Sequence, residues 1–82
     1  MPVPVPSGFV GPQRFALWRQ RVGEVVSPEG EAAAVRDPVG YAARTFAELV
    51  NLKAMIGRNH RLADMVANFI LLRHGYTPFI VA

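Results

Sequence analysis

Residues 57–76 read GRNHRLADMVANFILLRHGY, and this stretch decides the fold. From residue 63 to 72 only Asp64 and Asn68 interrupt a run of apolar residues. Because a surface helix shows a polar face, the run predicts a central helix that is buried on nearly every side. The run is too short to cross a bilayer, which takes about 20 residues. Gly75 follows at a position typical of a helix C-terminus.

Basic residues gather where this central helix begins. Gly57 separates it from the preceding helix, and Arg58 and Arg61 follow directly. The first N–H groups of a helix have no partner within the helix and attract anions, and nearby basic side chains strengthen that attraction. The sequence therefore predicts a small anionic ligand at Arg58 and Arg61.

The composition limits the classes of function. A chain of 82 residues with 51% hydrophobic residues forms one small domain, and some of its apolar surface is expected to contact a partner protein or a second copy. The net charge is +3, but the arginines are scattered and form no basic stripe, so nucleic acid is not an expected partner. No cysteine is present, which excludes disulfides and thiolate metal sites. Because no signal peptide or membrane-spanning run appears, we expect a cytoplasmic protein that does not contact a membrane.

The N-terminal residues predict an extended arm. Residues 1–6 read MPVPVP, and alternating prolines favour extended backbone without regular hydrogen bonds. Ser7 and Gly8 form a flexible joint, and residues 9–10 are β-like. We expect the arm to comprise residues 1–11 and a single helical domain to comprise residues 12–82.

Proline and capping residues mark the starts of three helices before the central one. Pro12 suits a first helical position, and Ser27 and Asp37 each precede a proline as helix caps. The third helix is predicted to run to about Ile56. The predicted buried stripe of the first helix is Phe15, Trp18, Val22 and Val25 or Val26, and that of the third is Val39, Ala42, Phe46, Leu49 and Val50.

These signals predict an all-α fold of about four helices around the buried central helix. A short apolar tail, residues 76–82, follows it and must pack on the domain or on something else. His74 is expected to interact favourably with the C-terminal end of the central helix.

Three polar residues near the start of the central helix are candidate catalytic residues: Lys53, His60 and Asp64. Lys53 falls on the apolar stripe of the third helix, so it either extends outward or points toward Gly57. Asp64 beside it would serve as an acid, although an ion pair with Arg61 or Lys53 is the simpler expectation. No second histidine or carboxylate stands at a spacing typical of zinc ligands, so neither a metal site nor a cofactor is predicted.

Residues 59–78, NHRLADMVANFILLRHGYTP, resemble the central helix of Fic (filamentation induced by cAMP) domains, whose members read like GNGRLARLLMNLLLLRAGYPP. The resemblance extends back to the helix that opens at Asp37. Residues 9–12 are similar to the segment where the family's substrate-docking flap meets its first core helix. This resemblance implies a small helical core and, at a complete motif, transfer of AMP to a hydroxyl group.

The family's catalytic motif, HPFx(D/E)GN(G/K)RxxR, falls on residues 53–64, where only Asn59 and Arg61 match. The resemblance implies that these two would bind phosphate. Lys53 replaces the histidine that acts as base, Gly57 replaces the acidic residue that holds magnesium, and Asp64 replaces the final arginine. Arg58 and His60 replace the two glycines.

These replacements leave three hypotheses. The first is a degenerate, truncated Fic-like domain. It would have lost nucleotidyl transfer, would no longer be an enzyme, and would bind or regulate another protein. The second is an enzyme whose cleft has been rebuilt around Lys53, His60 and Asp64 for a small molecule. The third is a structural subunit that dimerises through its apolar tail.

Overall fold

The computed structural model describes residues 4–77, and four helices make up most of this part of the chain. The predicted all-α class is therefore confirmed. None of the described helices combines the length and hydropathy needed to span a membrane. The division into an arm, 1–11, and a domain, 12–82, stays a prediction. The helices are α1 Pro12–Val25, α2 Pro28–Arg36, α3 Pro38–Leu52 and α4 Asn59–Arg73.

Side-chain caps fix the starts of α2 and α3. The hydroxyl of Ser27 accepts a hydrogen bond from the N–H of Gly30 at 3.1 Å, and the carboxylate of Asp37 accepts one from Gly40 at 3.1 Å. The residue after each cap is a proline, whose missing N–H costs nothing in the first turn. The predicted starts of both helices, and the role of Ser27 as a cap, are confirmed.

A Schellman motif ends α4 where the sequence predicts it. Gly75 adopts the left-handed conformation, with φ of 83°. Its N–H donates to the carbonyl of Leu72 at 3.2 Å, and the N–H of Tyr76 donates to that of Leu71 at 2.9 Å. From residue 78 onward, the predicted apolar tail lies outside the described residues.

The end of α3 differs from the prediction. The helix stops at Leu52 and does not reach Ile56. Lys53 takes the left-handed conformation, with φ of 50°, and residues 54–56 then pair antiparallel with residues 8–10. Two backbone hydrogen bonds of 2.7 Å join the two segments. These bonds replace those that a longer helix would have formed.

The β-like piece predicted at Phe9–Val10 is one half of this pairing, with Phe9 bridged to Met55. The ring of Phe9 also contacts α1, in edge-to-face geometry, at centroid distances of 4.7 Å from Phe15 and 5.2 Å from Trp18. The N-terminal segment is thus joined by its backbone to the α3–α4 loop and by its side chain to α1.

Small residues let α3 and α4 approach closely. Ala42, Ala63 and Ala67 are at most 1% exposed, so the helix backbones lie near each other along their length. Larger side chains complete the core on the same side of α4. The main cluster comprises Val25, Ala34, Tyr41, Ala42, Ala67, Ile70 and Leu71.

The prediction that α4 is buried on nearly every side is wrong. Met65, Phe69 and Leu72 are 61%, 45% and 59% exposed. The described part of the chain is thin, with a shortest extent of 16 Å, and its other helices cover only one side of α4. The apolar composition of α4 therefore exceeds what the described residues bury.

Two residues of the predicted stripes are also exposed. Val26 follows the last residue of α1 and is 61% exposed, and Val39, in the first turn of α3, is 45% exposed. On α3 the predicted Ala42 and Leu49 are buried. Tyr41 and Thr45, which the prediction missed, are buried as well. Their spacing of four residues places them on one face, as helix geometry requires.

Arg21 links α1 to α3. Its guanidinium donates to the carboxylate of Glu48 and, at 2.9 Å, to the hydroxyl of Thr45, and it lies 3.6 Å from the carboxylate of Glu24. Burial alone would lower the pKa of Arg21, but the hydrogen bonds and charge interactions with Glu48 and Tyr41 together outweigh it, and the pKa lies above its ordinary value. The side chain therefore stays charged, and we assign it a structural role.

Candidate functional site

The loop between α3 and α4 carries most of the candidate site residues. It begins at Lys53, whose N–H donates to the carbonyl of Val50 at 3.2 Å. It ends at Arg58, whose carbonyl accepts the first helical hydrogen bond of α4 from Leu62 at 3.2 Å. Gly57, with φ of 84°, supplies the turn in between, in a region of backbone conformation that favours glycine.

Asn59 holds this loop together. Its side-chain oxygen accepts from the N–H of Met55 at 2.8 Å, and its side-chain nitrogen donates to the carbonyl of the same residue at 2.8 Å. Both polar groups of the Met55 backbone are therefore satisfied by one side chain. Asn59 has a clear structural role, and the anion-binding role implied for it stays a prediction.

A depression of about 470 Å³ opens at the start of α4. It is lined by Gly57, Arg58, Asn59, His60 and Arg61. The side chains of Arg58, His60 and Arg61 are exposed there. Because the first N–H groups of α4 face the same end of the helix, the depression is positive in character. Anion binding by Arg58 and Arg61 remains a prediction that this geometry permits.

Of the three candidate catalytic residues, only His60 lines the depression. Its ring also meets Phe46 edge-to-face at a centroid distance of 6.1 Å. Asp64 lies one helical turn further along, and Lys53 is exposed at the end of α3; neither lines the depression. No hydrogen bond or ion pair within residues 4–77 joins Lys53 to His60 or Asp64.

The ion pair expected for Asp64 is not formed. Neither Arg61 nor Lys53 reaches its carboxylate among the ion pairs of residues 4–77. Arg61 lies three residues before Asp64 and thus on the same side of α4, but its side chain is exposed and does not reach the carboxylate. In the same described range, no group of three or more histidine or carboxylate side chains is placed to hold a metal ion.

His74 is held by a residue of another helix. Its Nε2 lies 3.8 Å from a carboxylate oxygen of Glu31, and Nε of Arg73 lies 3.3 Å from the same oxygen. These contacts join the end of α4 to α2. His74 thus lies at the C-terminal end of α4, as expected, with a carboxylate as its partner.

A second surface was not predicted. An apolar groove of about 390 Å³ runs between α1 and α4. The spacing of Leu62, Met65, Phe69 and Leu72 by three, four and three residues could have indicated an exposed contact stripe, but the same residues also fit a buried helix. The groove is lined by Trp18, Val22, Val25, Val26, Leu62, Met65, Val66 and Phe69.

Comparison with known proteins relates the chain to Fic adenylyltransferases. It is 34% identical over 71 residues to the protein adenylyltransferase Fic of Drosophila ananassae and 32% identical over 71 residues to that of Drosophila melanogaster. The matches cover 87% of this chain but only 14% of the length of each relative. No protein-family profile matches the chain, and no solved structure matches it. The similarity supports a Fic-related origin for this helical unit.

Proposed function

We propose that this chain is a Fic-type helical module that has lost AMP transfer and acts by binding another protein. The observation that carries the proposal is the lining of the depression at the start of α4. It holds two arginines, a histidine and an asparagine but no carboxylate. Because magnesium in nucleotide sites is held by oxygen ligands, this lining offers the metal–nucleotide pair no protein carboxylate.

Lys53 supports the same conclusion. It occupies the position that the resemblance assigns to the family's base, and it is exposed at the left-handed end of α3. A lysine accepts a proton near neutral pH only when burial or a neighbouring cation lowers its pKa strongly. An exposed lysine outside the depression is poorly placed for that role.

Asp64 adds a further obstacle to phosphate binding. It stands where the resemblance places the final phosphate-binding arginine, so a positive charge is replaced by a negative one. A carboxylate repels a terminal phosphate that a guanidinium would bind through paired hydrogen bonds. We infer that the loop geometry is retained mainly for the structure of the fold.

Protein binding is proposed because α4 exposes large apolar side chains next to an apolar groove. Exposed apolar patches of this kind mark interaction sites in many soluble proteins. The rebuilt-enzyme hypothesis is less well supported, since only His60 of its three residues lines the depression. Self-association through the apolar surface would be seen as a mass that depends on concentration. The cytoplasmic location expected from the sequence stays a prediction.

The proposal is tested by an adenylyl-transfer assay. The purified chain is incubated with magnesium and ATP labelled at the α-phosphate, with a mixture of proteins as acceptors. The Drosophila melanogaster relative, a protein adenylyltransferase, serves as the active control in the same mixture. We expect label on acceptors only with the relative. Label on the acceptors, or on the chain itself, in the chain's own reaction would overturn the proposed loss of transfer.

A further inference from the structure

A regular stripe of apolar residues runs along the uncovered side of α4. Leu62, Met65, Phe69 and Leu72 follow one another at intervals of three, four and three residues, which is the spacing of the contact positions of a helix pair. Leu62 is half-buried and the other three are 45–61% exposed. We call these four residues the α4 stripe. It extends over about one and a half heptads, and no further helix among the described residues covers it.

The stripe forms one wall of a concave surface. Trp18, Val22 and Val25 of α1 stand opposite it, and the space between the helices is the groove of about 390 Å³. A concave apolar groove beside an exposed heptad stripe fits the side chains of one further helix.

Positive charge borders the α4 stripe. Arg61 lies four residues before Met65, on the same side of α4, and Arg58 precedes the first residue of the helix at the same end. At the other end the guanidinium of Arg73 stands 5.9 Å from the ring centroid of Phe69, but it is already paired with Glu31. Within residues 4–77, Arg58 and Arg61 therefore supply the unpaired positive charge. Asp64 is the one acidic residue of α4. The border therefore favours negative charge on whatever binds there.

This charge argues against two occupants from the chain itself. A second copy would bring its own Arg58 and Arg61 to the same interface, where like charges oppose association. Residues 78–82 are apolar but contain no acidic residue, so they would leave the basic border without a counterpart. An acidic partner helix satisfies both the apolar stripe and its border.

We infer that the α4 stripe and the α1–α4 groove bind an amphipathic helix of a partner protein, with apolar residues in heptad spacing and acidic residues beside them. This inference rests on the proposed protein-binding function and names the partner's chemistry. Flanking charges of this kind commonly select partner and orientation when helices pair.

The test uses two designed peptides of three heptads and the complete chain. Both peptides carry leucine at the two contact positions of each heptad; one has glutamate at the flanking positions and the other has lysine. Fluorescence anisotropy of the labelled peptide measures binding. The emission of Trp18, the chain's one tryptophan, reports whether the groove is occupied. We expect saturable binding of the glutamate peptide, at least tenfold tighter than that of the lysine peptide, with a change in Trp18 emission.

Substitutions locate the surface. Met65→Glu should weaken binding of the glutamate peptide at least tenfold, because it places a charge in the α4 stripe. Val35→Glu is the matched control, since Val35 is 65% exposed on α2 and lies outside the groove. The double substitution Arg58→Glu and Arg61→Glu should reverse the preference between the peptides. Far-ultraviolet circular dichroism confirms that each variant is folded.

Several outcomes overturn the inference. These are equal binding or no binding of the two peptides, loss of binding in the Val35→Glu control, and binding that Met65→Glu leaves unchanged. Anionic phospholipid vesicles that change Trp18 emission when the peptides do not would assign the surface to a membrane. A mass that doubles with concentration and that Met65→Glu returns to a monomer would assign it to a second copy. If the chain binds neither peptide and also shows no adenylyl transfer, only this inference is overturned. If the chain shows adenylyl transfer, the proposed function is overturned, whichever peptide binds.

Discussion

Asn59 is the residue on which the α3–α4 loop depends. Its side chain forms hydrogen bonds with both the N–H and the carbonyl of Met55. Met55 is also the residue that forms the β-bridge with Phe9. The loop is therefore held from α4 on one side and from the N-terminal segment on the other. Local bonds of this kind explain why Asn59 has a use in the fold even without a phosphate to bind.

Asn59→Ala should lower the free energy of unfolding by about 1–3 kcal/mol, because it leaves the two polar groups of Met55 without their partner. Asn51→Ala is the matched control, since Asn51 is exposed on α3 and its replacement should stay within about 0.5 kcal/mol. Urea unfolding followed by circular dichroism measures both. Equal stability of the two variants would show that the Met55 hydrogen bonds contribute little.

The sequence could predict that Asn59 opens α4 but not what its side chain does. The resemblance assigns it to phosphate, whereas the structure pairs it with a residue four positions earlier. That pairing depends on where α3 ends, and α3 ends early because residues 54–56 pair with residues 8–10. A contact between segments more than 40 residues apart is beyond the reach of helical periodicity.

Among the elements, α1 and α2 meet most tightly at Gly30. A Cβ atom built on Gly30 would lie 1.8 Å from the carbonyl oxygen of Glu24 and 2.9 Å from the hydroxyl of Tyr41. Gly23, in α1, has no such neighbour within 4 Å. The two glycines therefore serve different purposes, since only Gly30 permits close packing of helices.

Gly30→Ala should lower the free energy of unfolding by about 1–3 kcal/mol, because the added methyl group overlaps backbone atoms that cannot move freely. Gly23→Ala should raise it by up to about 1 kcal/mol, because alanine favours a helix over glycine. Thermal unfolding of the two variants measures the difference. A Gly30→Ala protein as stable as the parent chain would contradict the packing described at this junction.

Helix starts were predictable because they are local. Ser27 and Asp37 cap helices that open with proline, and each needs only a neighbour three residues away. The environment of α4 was not predictable in the same way. An apolar run fits a buried helix and a helix with an uncovered stripe equally well, and the 16 Å thickness of the described body decides between them.

At the scale of the whole molecule, the chain resembles the helical core of Fic domains. It differs from them at most positions of the catalytic motif, and it carries an exposed apolar surface on α4. The chain matches only 14% of the length of its relatives. The activity of those whole proteins therefore bears on this chain only as a proposal. We propose two properties for α4. Its N-terminal end no longer supports nucleotide chemistry, and its side binds a partner protein.

Native mass spectrometry of the purified chain, with and without ATP and magnesium, tests the central claim most directly. The account predicts one mass that is the same under both conditions, because no carboxylate lines the depression and Asp64 opposes a terminal phosphate. Retained ATP, or a covalent increase of one AMP unit, would contradict it. Retained ATP would show that the chain still binds nucleotide, and the covalent increase would show that it still transfers AMP.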